Sequence, residues 1–320
     1  MTYQCAILGD ITLDKFLLLP ETSIMPSPHN PGNFVINLEI GQKIPVSNIY
    51  ESLGGNAYNV TFGLQLLDIQ STLITSLGTD ELSHYIVDFI QNLNISTDHI
   101  IQTPNSGVNQ STILSINGER VVLSHHKPKD YTHITIPSTE WLYITSLSQG
   151  SESILQSIIA QESLPYHIAF NPGSYLLRHH MDIIHQLLPK THMILLNKEE
   201  AQHITNSKEE SIPHLIHQLH TMGVLIIGLT DGTHGAYVST EGKIQHLDSR
   251  KVTLAETTGA GDAFAAAFLA AFIHSQDVTQ ALKWGIIQSS AVLQKIGSVN
   301  GLMSKDDIIH TAHSLEPQVI

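Results

Sequence analysis

At 320 residues with 42% hydrophobic side chains, the chain can bury a substantial core, which excludes wholesale disorder. Charged residues make up only 14%, against about 25% in typical globular proteins, and a net charge of −14 argues against a nucleic-acid partner. One cysteine, Cys5, excludes an intrachain disulfide and a thiolate zinc cluster, while the lack of a leader pattern or bilayer-length apolar run predicts a soluble cytoplasmic protein with no membrane partner.

Apolar runs of strand character alternate with helical patterns along most of the chain. The predicted strands are Cys5–Leu8, Ser71–Leu77, Trp141–Thr145, His167–Phe170, Met193–Leu196 and Val224–Leu229. Between them fall helical segments at Asn56–Leu67, Leu82–Leu93, Ser153–Gln161, Met181–Leu188, Glu199–Ile204 and Pro213–His220. Strands separated by helices of this length imply right-handed crossovers and a mostly parallel sheet covered on both faces. Two stretches break the rhythm. Residues 11–49 contain the alternating run Phe34–Ile40, and residues 110–124 read as two strands joined at Asn117-Gly118, a hairpin signal. A small separate β layer built from these segments is the economical reading. Ala260–Ile273, Thr279–Lys295 and Lys305–His313 form a helical C-terminal third, and the alanine-rich first of these is predicted to be buried all round.

The strongest local signal for chemistry is Glu256-Thr257-Thr258-Gly259-Ala260-Gly261-Asp262, running into that alanine-rich helix. Small residues at a helix start leave backbone N–H groups open, and the helix dipole favours an anion there. A carboxylate does nothing to bind an anion, so Asp262 suggests a base that takes the proton of a hydroxyl attacking a phosphate. Taken alone, the segment also reads as an ordinary helix start with a first-turn acid. No G-x-x-x-x-G-K-[ST] loop occurs, and no G-x-G-x-x-G follows the first strand. A second cluster, Gly54-Gly55-Asn56-Ala57-Tyr58-Asn59, could present backbone and amides to a polar ligand, or be a glycine turn with Asn56 as helix cap. Asp14 is an isolated acid that could accept two sugar hydroxyls. His214, His217 and His220, like His179, His180 and His185, lack a carboxylate or thiol at ligand spacing and read as surface histidines.

These pieces, with Asn197-Lys198-Glu199-Glu200, Thr230-Asp231-Gly232-Thr233-His234-Gly235-Ala236 and Gly297, occur in order, and the chain resembles the ribokinase-like (PfkB) carbohydrate and nucleoside kinases over nearly its whole length. The resemblance implies an αβα sandwich with a mostly parallel central sheet, a single kinase domain over 1–320, and a β-stranded lid from insertions at about 11–49 and 107–128. It implies transfer of the ATP γ-phosphoryl group to a primary hydroxyl of a sugar or sugar-like acceptor. A nucleoside kinase on the same scaffold is the alternative, and a non-catalytic ligand-binding protein a further one. By resemblance, Asp262 is the base and Gly259, Ala260 and Gly261 form the anion hole. Asn197 and Glu200 organise Mg2+ and phosphate through water. Thr230, Gly232, Gly235 and Gln288 line the nucleotide, while Asp14, Gly54, Gly55, Asn56 and Asn59 hold acceptor hydroxyls. A homodimer through the lid is also implied. Glu256 stands where the signature usually has aspartate and Gly301 where many ribokinases have serine, both near the place where such kinases hold a monovalent cation such as K+. Arg120 or Lys127 could meet an anionic acceptor, and Phe16, Phe34 and Tyr131 could stack on a nucleoside base, or these side chains could simply be solvated charges and packing.

Overall fold

The structure, a computed structural model, describes residues 2–21, 24–29, 34–116, 119–208 and 211–320. In chain order it opens with β1 (Tyr3–Leu8), β2 (Thr12–Leu18), β3 (Ile24–Pro26), β4 (Phe34–Ile36) and β5 (Asn48–Gly54), then α1 (Asn56–Leu66), β6 (Ser71–Leu77), α2 (Glu81–Asn92) and β7 (Ile100–Gln102). Next come β8 (Asn109–Ile116), β9 (Glu119–His125), β10 (Thr139–Ile144), α3 (Glu152–Ile159), β11 (His167–Phe170), α4 (Ser174–His179) and α5 (Met181–Leu187). They are followed by β12 (Thr191–Asn197), α6 (Lys198–Ile204), α7 (Ile212–Thr221), β13 (Ile226–Thr230), β14 (Ala236–Thr240) and β15 (Lys243–Leu247). The chain closes with α8 (Ala260–Ser275), α9 (Val278–Val292), α10 (Lys305–Ala312) and β16 (Gln318–Val319).

A 10-stranded sheet has the order β16-β15-β14-β13-β12-β11-β10-β1-β6-β7. From β7 across to β13 every neighbour pair is parallel, and the β13–β16 edge is antiparallel. Along β1, Cys5 and Ile7 face one apolar layer and Ala6 and Leu8 the other, the two-residue alternation of a strand buried on both faces. Helices α1, α2, α8, α9 and α10 cover the first face and α3 to α7 the second. The αβα sandwich is therefore as expected. Because β1 is flanked by β6 on one side and β10 on the other, strand order reverses there, and ligands of open α/β sheets bind beyond the carboxyl ends of such strands.

α8 is the spine of one face. Ala263 through Phe272 are all buried, and Phe264, Phe268 and Leu269 each contribute about 1.5–3 kcal/mol relative to exposure. Glycine lets the neighbours close in: a Cβ added at Gly63 of α1 would come within 2.7 Å of Ala266.

The two segments that break the βα rhythm supply the second layer, a four-stranded sheet of order β5-β2-β8-β9. β2 and β8 run parallel, while β5–β2 and β8–β9 are antiparallel. β5 reaches Gly54, past the expected limit at 49, because its pairing with β2 continues to Thr12↔Gly54. Phe34–Ile40 is strand only over Phe34–Ile36, where it pairs with β3 in a separate two-stranded unit. β8 and β9 pair as a hairpin up to Ile116↔Glu119; the predicted turn residues Asn117-Gly118 lie outside the described residues. Among the described residues no helix is long and apolar enough to cross a membrane.

Candidate active site

Four chain segments meet at the start of α8. Gly259 caps the helix with φ 83°, a left-handed conformation natural to glycine, and no side chain caps the helix end. A Cβ at Gly259 would meet Ser298 at 2.7 Å, so the loop is pressed against the segment after α9 on one side. On the other side it is open: a Cβ at Gly261 would meet nothing within 4 Å. Uncapped N–H groups on an open helix start are what an anion needs.

Asp262 lies in this first turn, half-buried. Asn59 Nδ2 donates to its Oδ2 at 2.7 Å, and Ser298 Oγ donates to Asn59 Oδ1 at 2.7 Å. Burial pushes the Asp262 carboxyl up to about 6, partly offset by the Asn59 hydrogen bond. Asn59 and Ser298 are 5% and 2% exposed, so this relay is fixed by packing. Asn59, expected to hold an acceptor hydroxyl, thus spends both ends of its amide on orienting Asp262.

Asp14, on β2, is brought to the same place. Its carboxyl is also pushed up to about 6, first by burial, with a Ser111 hydrogen bond lowering it and the charge of Asp262 raising it. The carboxylate lies directly against Gly54, where any side chain would collide with it. Gly55 turns the chain into α1 with φ 86°, and a Cβ there would meet Asp10 O at 2.7 Å and Thr12 N at 2.8 Å. Gly55 is therefore the cap of α1, and Asn56 is its first residue rather than the cap.

At the carboxyl end of β12, Asn197 and Glu200 form a capping box. Asn197 Oδ1 accepts from the Glu200 amide at 2.8 Å, and Glu200 Oε2 accepts from the Asn197 amide at 2.9 Å. Glu200 is pushed up to about 7, by burial first and then, against its Asn197 hydrogen bond, by the charges of Asp262 and Glu199. Tyr143, fully buried on β10, is held well above the usual phenol range by burial and then by the charge of Asp262. Thr230 ends β13 in register with Asn197, and the following turn Gly232–His234 carries Gly232 and Gly235 on to β14. The nucleotide-loop candidates therefore sit beside the capping box.

One expected contact is not part of this constellation. Gln288 is 0% exposed, with Nε2 donating to Met303 O at 3.1 Å and Oε1 accepting from Met303 N at 2.9 Å. Both halves of its amide tie α9 to the approach to α10, so it has no face left for a nucleotide. Arg120 is also redirected. Rather than awaiting an anionic acceptor, its Nη1 donates to Glu256 Oε1 at 3.0 Å. Among the described residues no three His, Cys, Asp or Glu side chains form a metal-holding group. His220 is structural, with its ring nitrogens on Val224 O at 2.8 Å and Ser239 Oγ at 2.9 Å. Sequence reasoning missed Ser298 and Ser111, whose roles depend on tertiary neighbours; the only local hint for Ser298 was the adjoining Gly297.

Residues 33–305 match the family model described as pfkB family carbohydrate kinase. The ribokinase of Staphylococcus aureus (strain COL) is 24% identical over 314 residues, covering 93% of this chain and 96% of that protein. The nucleoside kinase structure from Methanocaldococcus jannaschii, an archaeal member of the ribokinase family, superposes with a TM-score of 0.78 at 19% identity, covering 98% of this chain and 99% of that one. A ribokinase from Cryptococcus neoformans var. grubii serotype A, solved with ADP, superposes with a TM-score of 0.71 at 18% identity, covering 97% and 100%. The fold with its switch point, the open glycine-lined helix start and the match over most of the chain lead to one conclusion: the chain belongs to the pfkB family of carbohydrate kinases, phosphotransferases of the ribokinase-like fold that use ATP.

Proposed function

We propose that this protein transfers the γ-phosphoryl group of ATP to a primary hydroxyl of a sugar or sugar-like acceptor, with Asp262 as the base. The observation that carries the reading is the placement of Asp262, held by Asn59 at 2.7 Å in the first turn of an open helix start. Asp14 holds the acceptor, assisted by the Gly54–Asn56 turn. Asp262 takes the hydroxyl proton as the oxygen attacks the γ-phosphorus, and the bond to the β-phosphate oxygen breaks to release ADP. The amides of Gly259, Ala260 and Gly261 meet the charge developing on the transferred group, in a site already organised before the reaction. The turn from Thr230 to Gly235 receives the nucleotide, and the four-stranded sheet is the lid of a single kinase domain.

Asn197 and Glu200 suit a hard cation. Their donors are oxygens, and the charge of Asp262 beside Glu200 adds to the negative field there. With no three-ligand protein cage among the described residues, they would hold Mg2+ largely through water, as that ion prefers. When bound, Mg2+ neutralises charge on the phosphates. The Glu256 region does not fit a monovalent cation in the same way: Arg120 already neutralises its carboxylate. Gly301 packs too closely to carry serine, because a Cβ would meet Ala291 O at 2.5 Å and Val292 Cα at 2.7 Å.

Of the three aromatic candidates for a nucleoside base, Phe34 is exposed on β4 and stays available, whereas the other two give the alternative little support. Phe16 and Tyr131 are 1% and 2% exposed, and the Tyr131 hydroxyl is committed to Asp10 at 2.7 Å. The experiment is ADP release with magnesium–ATP against ribose, fructose, fructose phosphates and adenosine. A sugar-dependent rate supports the proposal, adenosine dependence replaces it with the nucleoside reading, and ATP binding without turnover on any acceptor favours a non-catalytic protein.

A further inference from the structure

Arg120 and Glu256 lie 136 residues apart, on different layers of the molecule. Arg120 is on β9, one residue from the hairpin end of the small sheet; Glu256 is on the segment from β15 to α8, three residues before Gly259. Their 3.0 Å ion pair is unlike the exposed pairs elsewhere: the side chain of Glu256 is 1% exposed and that of Arg120 29%. The same carboxylate oxygen that receives the guanidinium also accepts from Thr257 N at 2.9 Å, Thr258 N at 3.2 Å and Thr258 Oγ1 at 3.0 Å. One oxygen thus holds the small sheet down and folds the turn that leads into the helix start.

A carboxylate this buried depends on its counter-charge. Removing one partner of such a pair leaves an uncompensated charge out of water, and the carboxylate then turns towards solvent. That movement disturbs the bonds to Thr257 and Thr258. We propose that Arg120 is a closure latch: docking of the small sheet through this guanidinium sets the Thr257–Gly259 turn and so seats the amides that begin α8. Arg120 touches no substrate in this scheme; it is a positioning residue. Closure over the acceptor and order at the phosphate site are then one equilibrium, so acceptor and ATP each raise the other's affinity, reciprocally. The inference rests on the proposed reading of the α8 start as the phosphate site.

The test uses the full chain with Arg120→Met, which keeps an apolar stem and removes the charge, with Arg120→Lys, Glu256→Gln, and the Met/Gln double variant. Without ligand, the amides of Thr257 and Thr258 should exchange faster in Arg120→Met than in the wild type. With whichever acceptor from the panel supports turnover, kcat should fall about tenfold to a hundredfold, as for misplacement by a fraction of an ångström to about 1 Å. Arg120→Lys should recover part of the loss. The double variant should be no worse than either single one, because both remove the same coupling. Unchanged exchange at Thr257 and Thr258 in Arg120→Met overturns the latch, as do fully additive losses, or a lowered melting temperature with wild-type kcat. If the wild type shows no acceptor-dependent ADP release, the kinase reading fails; amide exchange still decides the latch by itself.

Discussion

Asn59 and Asp262 stand 203 residues apart in the chain, yet Asn59 Nδ2 reaches Asp262 Oδ2 at 2.7 Å. The bond joins the first turns of α1 and α8, helices that approach closely where Gly63 faces Ala266. The rotamer of the carboxylate is therefore set by helix packing and by Ser298 behind Asn59, not by the loop it adjoins.

Asp262→Asn keeps the shape and removes the proton acceptor. Turnover should fall about 10²–10⁴-fold, the usual worth of a positioned base, while ATP affinity measured by calorimetry stays near that of the wild type. A variant with wild-type turnover would dispose of the base assignment.

The pH dependence has a defined sign. Asp14 and Asp262 are each pushed up to about 6 and Glu200 to about 7, burial being the first cause in each. The folded chain then binds more protons than the unfolded one, so these groups favour the fold at low pH and lose that contribution as pH rises from about 4 to about 7. One fully realised shift is worth on the order of 2–3 kcal/mol. Melting curves of the ligand-free protein should show Asp262→Asn gaining on the wild type as pH increases through this window. The kcat/KM of the wild type should fall as pH drops below about 6, where Asp262 takes up a proton.

Asn59→Asp places a like charge on the neighbour of Asp262. That disfavours the ionised base, so the acidic limb of the kcat/KM profile should move upward by about one unit or more. An unmoved limb would mean that the titrating group is not in contact with position 59.

At Gly259, alanine faces two obstacles. The left-handed φ of 83° costs an L-residue about 1–2 kcal/mol, and the new methyl would meet Ser298 at 2.7 Å. Gly259→Ala should lower the melting temperature modestly and remove most ATP binding, because relief requires moving the helix start itself.

Gln288→Leu separates structure from nucleotide contact. Leaving the Met303 N–H and C=O without the partners they have now should cost about 1–3 kcal/mol, seen as a lower melting temperature. The KM for ATP should stay unchanged; a large rise would return Gln288 to the nucleotide site.

What the sequence made legible follows physical lines. Runs such as Ser71–Leu77 and His167–Phe170 emerge as strands with the same limits, because their buried residues are apolar or carry only a small hydroxyl and so suit a strand covered on both faces. The alanine-rich character of α8 announced its burial. The β14–β15 hairpin went unread because its turn is Glu241-Gly242: both residues adopt positive φ, at 52° and 77°, but glutamate is not a residue that marks such a turn. Arg120 with Glu256, Asn59 with Asp262 and Gln288 with Met303 were beyond reach, since each residue type is ordinary at its local position and acquires a role only from a partner far along the chain.

Because α8 is enclosed from Ala263 to Phe272, it has no face on which sequence can drift without disturbing the core. The proposed phosphate end of the site is thereby tied to the survival of the fold itself. The proposed acceptor end draws Asp14 from β2 and Gly54 from β5 of a separate small sheet, which carries no such burden. Divergence towards new acceptors is accordingly channelled into that sheet, and comparing its inward-facing residues should sort relatives by substrate where the α8 signature would group them all together.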